Sequence, residues 1–327
     1  MAPPRSLACL ALSGGGALTR YTTEILSGLQ GFRDTAFPAS DPDRPLAEAF
    51  DVLAGTSAGA LVAGGLALGR SPDELSQVLE HYGPKIFAPS RGLSWRWLVT
   101  AKYDARPLHA AVDDVLRGDA RTLSAFRHLL AFPAVDETRG VPVILTNADP
   151  NTAHIPLRDA VLASAAAPTY FPAHRIKALD GRRFVDGGLY ANAPDIAALT
   201  LALRRWTAIN LRDIHVTSIG TTYGSSASPH GRAHPGAKGI YAWAMRPKGR
   251  ILKLAMRGTT DHAVDLMDAL PLADFIRLDA ELEGLELDSA GEEVFRILEE
   301  AGRETLKTLD AQKLDALKDI VKRRRAI

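Results

Sequence analysis

The chain has 327 residues, 46% of them apolar and 24% charged, with 39 Lys and Arg against 38 Asp and Glu. That is the composition of a folded globular protein, not a disordered or fibrous one, and a net charge of +1 argues against a DNA or RNA binder that works through bulk positive charge. The one cysteine, Cys9, excludes an internal disulfide framework and a cysteine-rich zinc module.

Ser6–Leu12 is a short apolar run followed by the glycines Gly14, Gly15 and Gly16, and reads as a buried strand. With one Arg and so short an apolar run, this start does not suit a secretory signal, and a cytoplasmic protein is expected. Tyr21, Ile25, Leu26 and Leu29 then recur at helical spacing within Thr19–Leu29, and Phe32–Arg44 is polar and Pro-rich, which reads as a loop. Val52–Gly69 has 18 uncharged residues, the lower limit for a membrane span, but contains five glycines. A strand over Asp51–Ala54, a tight turn and a helix over Ala58–Leu68 account for it better. Strand, glycine turn and helix, twice in succession, is the pattern of an α/β sheet covered on its faces.

Ser71-Pro72-Asp73-Glu74 has a capping Ser, Pro at the first helical position and acids in the first turn, so a helix starts there. Pro84–Pro107 lacks clear periodicity. Val141–Asn147 reads as a strand, Arg158–Ala166 as a small-residue helix, Arg183–Asp186 as a strand, Pro194–Trp206 as a helix and Ile214–Gly220 as a strand. A Gly/Ser/Pro/His-rich loop follows to Gly239, and from about 240 the chain reads as largely helical. With no internal repeat and no linker, one domain over 1–327 is expected.

Three places carry chemistry. Gly55-Thr56-Ser57-Ala58-Gly59 is a G-x-S-x-G between a strand and a helix, where flanking glycines permit a strained turn that exposes the serine hydroxyl. The helix after Ser57 aims its N–H groups at charge developing there. Gly14, Gly15 and Gly16 leave backbone N–H groups unshielded, which suits an oxyanion; the loop lacks the Lys of a Walker loop and has Thr19 where a dinucleotide fingerprint needs Gly. Asp186-Gly187-Gly188 closes a strand, and an aspartate in a dry site can act as the base for a serine. A histidine base is the alternative; the order serine, acid, histidine leaves only His215, His230, His234 and His262 for it.

The glycine loop, the G-x-S-x-G, the later D-G-G and Ala163-Ser164-Ala165-Ala166-Ala167-Pro168-Thr169-Tyr170-Phe171-Pro172, similar to an A-S-x-A-A-P-x-Y-F-P block, together resemble the patatin-like phospholipases. The resemblance covers roughly residues 5–310 and implies a three-layer fold, a central mostly parallel sheet with helices on both faces. It implies a Ser57–Asp186 dyad without histidine, an oxyanion hole at Gly14, Gly15 and Gly16, motif glycines Gly55, Gly59, Gly187 and Gly188, and chemistry that needs no metal or cofactor. Leu18 and Thr19 depart from the Arg and Gly of the family loop, with Arg20 two places late, which puts a loop arginine in doubt.

The implied activity is lipid acyl hydrolysis of the phospholipase A or lysophospholipase type, at the inner face of the membrane. A general carboxylesterase or thioesterase is one alternative. Another is an antiviral-defence effector switched on by a cyclic nucleotide, as some bacterial members are, and a homo-oligomer is compatible with each. Two segments mix aromatic and basic residues in the manner of a membrane interface: Arg91–Arg106, with Trp95, Trp97 and Tyr103, and Ile240–Arg257, with Tyr241 and Trp243. Core packing beside a solvated basic face explains each equally well. The basic end at 322–325 reads as a solvated tail.

Overall fold

A computed structural model describes residues 6–41, 44–88, 101–222 and 250–324, the side chains of 250–253 excepted. Strand β1 (Leu7–Leu12) is the spine of the sheet and is fully buried. Ala8, Leu10 and Leu12 enter one apolar cluster, and Leu7, Cys9 and Ala11 the other. Period-two alternation with both faces covered is why the sequence here is an unbroken apolar run rather than an alternating one. Burial also pushes the Cys9 thiol pKa up, which leaves it an inert core residue.

The remaining strands are β2 (Val52–Gly55), β3 (Leu129–Asp136), β4 (Val141–Thr146), β5 (His174–Ile176), β6 (Arg182–Asp186), β7 (Ile214–Ile219) and β8 (Asp274–Leu278). The sheet runs β5-β6-β3-β2-β1-β7-β8, with β4 also on β3. Ladders β3–β2–β1–β7–β8 are parallel, whereas β4 and β6 meet β3, and β5 meets β6, antiparallel.

One outer layer contains α1 (Thr19–Asp34), α2 (Ala58–Ala67), α3 (Pro72–Ile86), α4 (Ala105–Val115) and α5 (Leu157–Ser164). To it belong also α9 (Glu292–Thr308) and α10 (Ala311–Val321). The other is built on α7 (Asp195–Arg205) and α8 (Arg250–Ala269), which bring Ala198, Leu201 and Met267 to the Cys9 face. The short α6 (Gly188–Ala191) joins β6 to α7 and packs on α8. The three-layer α/β arrangement expected from the sequence is the one observed.

The decisive detail lies along β3. Ala131 pairs with Ala54 of β2 and Thr146 of β4; Ala134 pairs with Val143 of β4 and Asp186 of β6. Because β4 runs the length of one edge, β2 and β6 share the other. They approach from opposite directions, and only Phe132 and Pro133 separate their carboxyl ends. Pro133, which has no N–H to give, sits in the gap between the two partners.

Several boundaries differ from the sequence reading. Helix α1 runs five residues past Leu29, so the loop read from Phe32 starts late. Helix α3 continues through Pro84, which falls in its last turn and costs few bonds there, and α4 already begins at Ala105. Strand β3 is not predicted, because a proline in an apolar run argues against a strand. Among the described residues beyond 240 three helices are present, but β8 lies between the first two and carries the sheet's last ladder, which the helical reading does not foresee. The uncharged Val52–Gly69 run resolves into β2, a turn and α2, and among the described residues no helix is long and apolar enough to cross a membrane. Trp95, Trp97, Tyr241 and Trp243, His230 and His234 and the last basic residue, Arg325, lie outside the described residues.

A Cβ on Gly187 would overlap the Pro133 carbonyl group, and backbone cannot swing aside. Gly187→Ala is therefore expected to lower unfolding stability by about 3 kcal/mol, the upper end of overpacking costs. Urea denaturation reads this as a lower midpoint at constant slope; an unshifted midpoint would mean that β6 is not locked against Pro133.

Candidate active site

From Gly55 the chain leaves the sheet and turns sharply into α2. At the turn Ser57 has φ 56° and ψ −126°, a conformation an L-residue holds only when its surroundings impose it. Its N–H donates to Ser164 Oγ at 3.2 Å, and that hydroxyl donates to the Pro133 carbonyl at 2.6 Å. Thr56 Oγ1 donates to the Ala191 carbonyl at 2.6 Å. A Cβ at Gly59 would lie 2.7 Å from the Ser13 carbonyl oxygen, so this glycine lets the turn nest against the loop after β1.

Asp186 ends β6 and is 4% exposed. Its N–H donates to the Ala166 carbonyl at 3.0 Å, and its Oδ1 accepts the Gly188 N–H at 2.7 Å. Burial pushes the carboxyl pKa up to about 6, against the pull of the Ser57 hydroxyl and then of the Gly188 N–H, both of which favour the charged form. A carboxylate poised near neutral pH and within reach of a serine hydroxyl is equipped as a general base.

The glycine loop divides its labour differently from the expectation. Gly14 donates its N–H to the Asn192 carbonyl at 3.0 Å, so that amide is spent on holding the loop and is not an oxyanion donor. Gly15 and Gly16 line the same cleft as Ser57 and Asp186, and among the described residues no protein group accepts their N–H. Gly16 has φ 56°, which here needs a glycine.

The cleft has apolar walls, to which Phe87, Tyr170, Phe171, Leu189, Met256 and Leu287 contribute. Burial, then the Asp288 charge, pushes the Tyr170 phenol up to about 12, so it stays neutral. The Leu287 carbonyl accepts the Ala17 N–H at 2.8 Å, which ties this wall to the glycine loop. Next to it Asp288 accepts the Tyr103 hydroxyl at 2.6 Å and pairs with Lys102.

No described histidine reaches the cleft: His215 faces Asp274, His174 faces Asp159, and His128 bonds the Phe50 carbonyl. Among the described residues no group of His, Cys, Asp or Glu is placed to hold a metal ion. The sequence reading places Ser164 in a packing block and misses its hydrogen bond to Ser57. It also misses Asn192, Leu287 and Arg277, whose Nη1 donates to Ser13 Oγ at 3.0 Å. Nothing local marks Asn192 or Leu287.

The family model described as patatin-like phospholipase matches residues 10–199. A protein of Escherichia coli named cGAMP-activated phospholipase is 33% identical over 65% of this chain and 61% of its own length. One of the same name from Pseudomonas aeruginosa is 34% identical over 67% of this chain and 65% of its own. A third, from Vibrio cholerae, is 27% identical over 96% of this chain and 94% of its own. The match to the first two thus spans less than two thirds of their length.

The raised Asp186 pKa has a consequence for stability. The native state holds this proton more tightly than the unfolded chain does. The group's contribution is therefore complete below the ordinary value of 3.8 and is lost as pH rises through about 6. Asp186→Asn is expected to be more stable than the wild type at pH 7, by up to about 3 kcal/mol, with the difference shrinking towards pH 4. Denaturation of both proteins across that range is the check; a constant difference would place Asp186 in a wetter site.

Proposed function

The chain belongs to the patatin-like phospholipase family, and from that premise we propose that it is a lipid acyl hydrolase working through Ser57 and Asp186. The observation that carries this reading is a strained serine and a buried carboxylate of raised pKa in one apolar cleft with two unengaged glycine amides.

In the proposed cycle Asp186 takes the Ser57 proton as Oγ attacks the ester carbonyl carbon. The Gly15 and Gly16 N–H groups hold the oxygen that becomes negative. The protonated Asp186 returns its proton to the leaving alkoxide as the tetrahedral adduct collapses to an acyl-enzyme. Water then attacks, giving its proton to Asp186, and a second collapse frees the fatty acid and restores Ser57. The Phe87, Tyr170 and Phe171 wall suits an acyl chain, and no step needs a metal or cofactor.

The substrate in this reading is phospholipid at a membrane surface, approached from the cytoplasm. The three bacterial relatives named cGAMP-activated phospholipase favour a cyclic nucleotide as activator. A general carboxylesterase is the competing reading, and preference for soluble short-chain esters over vesicles would select it.

Fatty-acid release from mixed phospholipid vesicles, with and without cGAMP, tests the proposal. The wild type is expected to release fatty acid, most with cGAMP present, and Ser57→Ala and Asp186→Asn to lose at least about a thousandfold. Full release by Ser57→Ala would end the proposal. The base must be ionised, so kcat/KM should rise with pH through about 6 and then level; a profile flat from pH 5 to 8 would remove Asp186 from that role.

A further inference from the structure

Next to the glycine loop, the carboxyl ends of the adjacent strands β1, β7 and β8 bring together a cluster of polar side chains. Arg277 of β8 is its centre. Nη1 donates to Ser13 Oγ at 3.0 Å and to Ser218 Oγ at 2.8 Å, and Nη2 pairs with Asp279 Oδ2 at 2.6 Å. Ser13 and Ser218 are each 1% exposed. Asp279 is itself fixed, since its Oδ1 accepts the Thr222 N–H at 2.9 Å and the Ala280 N–H at 3.1 Å. A Cβ on Gly220 would overlap the Asp279 carboxylate, so the chain leaves room for this carboxylate. The neighbouring Asp195 is fully buried. Burial raises its pKa against the opposing pull of the Arg277 charge and the Ser218 hydroxyl, and the carboxylate in direct contact with the guanidinium is that of Asp279.

Ser13 immediately precedes the loop. Its N–H donates to the Ile219 carbonyl at 2.9 Å, and its hydroxyl is held by Arg277. Thr221 Oγ1 donates to the Gly14 carbonyl at 3.2 Å from the same side. We propose that Arg277 is a positioning residue for the oxyanion-binding loop: anchored on Asp279, it grips Ser13 and thereby sets the direction of the Gly15 and Gly16 amides. The strand at the edge of the sheet thus supports a loop whose own sequence, with Leu18 and Thr19, carries no arginine in that stretch. The inference rests on the hydrolase reading above.

Arg277→Met, Ser13→Ala and the double variant form a cycle, assayed on a soluble short-chain ester and by the rate at which a fluorophosphonate labels Ser57. Each single change is expected to lower kcat and the labelling rate by about tenfold to a hundredfold, since misaimed donors weaken only the transition state. KM should stay within about twofold, and the double variant should lose no more than either single one, because both act through one contact. Ser13→Ala keeps Arg277 paired with Asp279 and Ser218 and carries the test if Arg277→Met does not fold. A folded Arg277→Met with wild-type kcat, or losses that multiply in the double variant, would overturn the proposal. A wild type that neither hydrolyses nor labels would sink the hydrolase reading instead. Amide hydrogen exchange over residues 13–18 then decides the positioning role, with faster exchange in the variants supporting it and unchanged exchange refuting it.

Discussion

Everything at the candidate site depends on one edge of one strand. On β3 the backbone groups either side of Pro133 serve two different partners, β2 arriving from one end and β6 from the other. Hydrogen bonding to a common strand fixes where each partner must stop, and both stop at the same place. Ser57 follows one end and Asp186 is the other. The serine and its acid are thus brought together by ladder register, which is stiff, rather than by loops, which are not. The Pro133 carbonyl, left without a strand partner, takes the Ser164 hydroxyl that steadies the Ser57 turn. A backbone conformation of that kind costs about 1–3 kcal/mol and survives only when neighbours over-determine it.

Local signals in the sequence were sufficient for β1, for the strand-turn-helix around Ser57 and for Asp186 at a strand end, because each is encoded within a few adjacent residues. The capping box at Ser71 and Glu74 is another case, both of its hydrogen bonds being present. What escaped is what depends on a distant partner. Strand β3 contains the proline that its split edge tolerates. Gly14 looks identical to Gly15 and Gly16 until the Asn192 carbonyl claims its amide. Arg277 is one more charged residue in a run that reads as helical, and its meaning comes from Ser13 at the opposite end of the chain.

The apolar walls around Ser57 have two effects. They exclude water from Asp186, which raises its basicity and costs folding free energy while the group is charged. On the hydrolase reading the same walls receive an acyl chain, so one set of side chains sets both the strength of the base and the class of substrate. The wall is also coupled to the glycine loop, since Leu287 lines the cleft and its carbonyl accepts the Ala17 N–H.

The place of β1 in the sheet has a consequence for synthesis. It is an early strand in the chain and lies in the middle of the sheet, and its second edge pairs with β7, which is translated about two hundred residues later and is followed by β8. Until then a fully apolar strand presents an open row of N–H and C=O groups, the kind of edge that invites wrong pairing and calls for shielding. The loop after β1 takes its shape from β7 and β8 as well. The nascent chain therefore carries both the serine and the acid before it has the strands that shape the loop meant to hold an oxyanion.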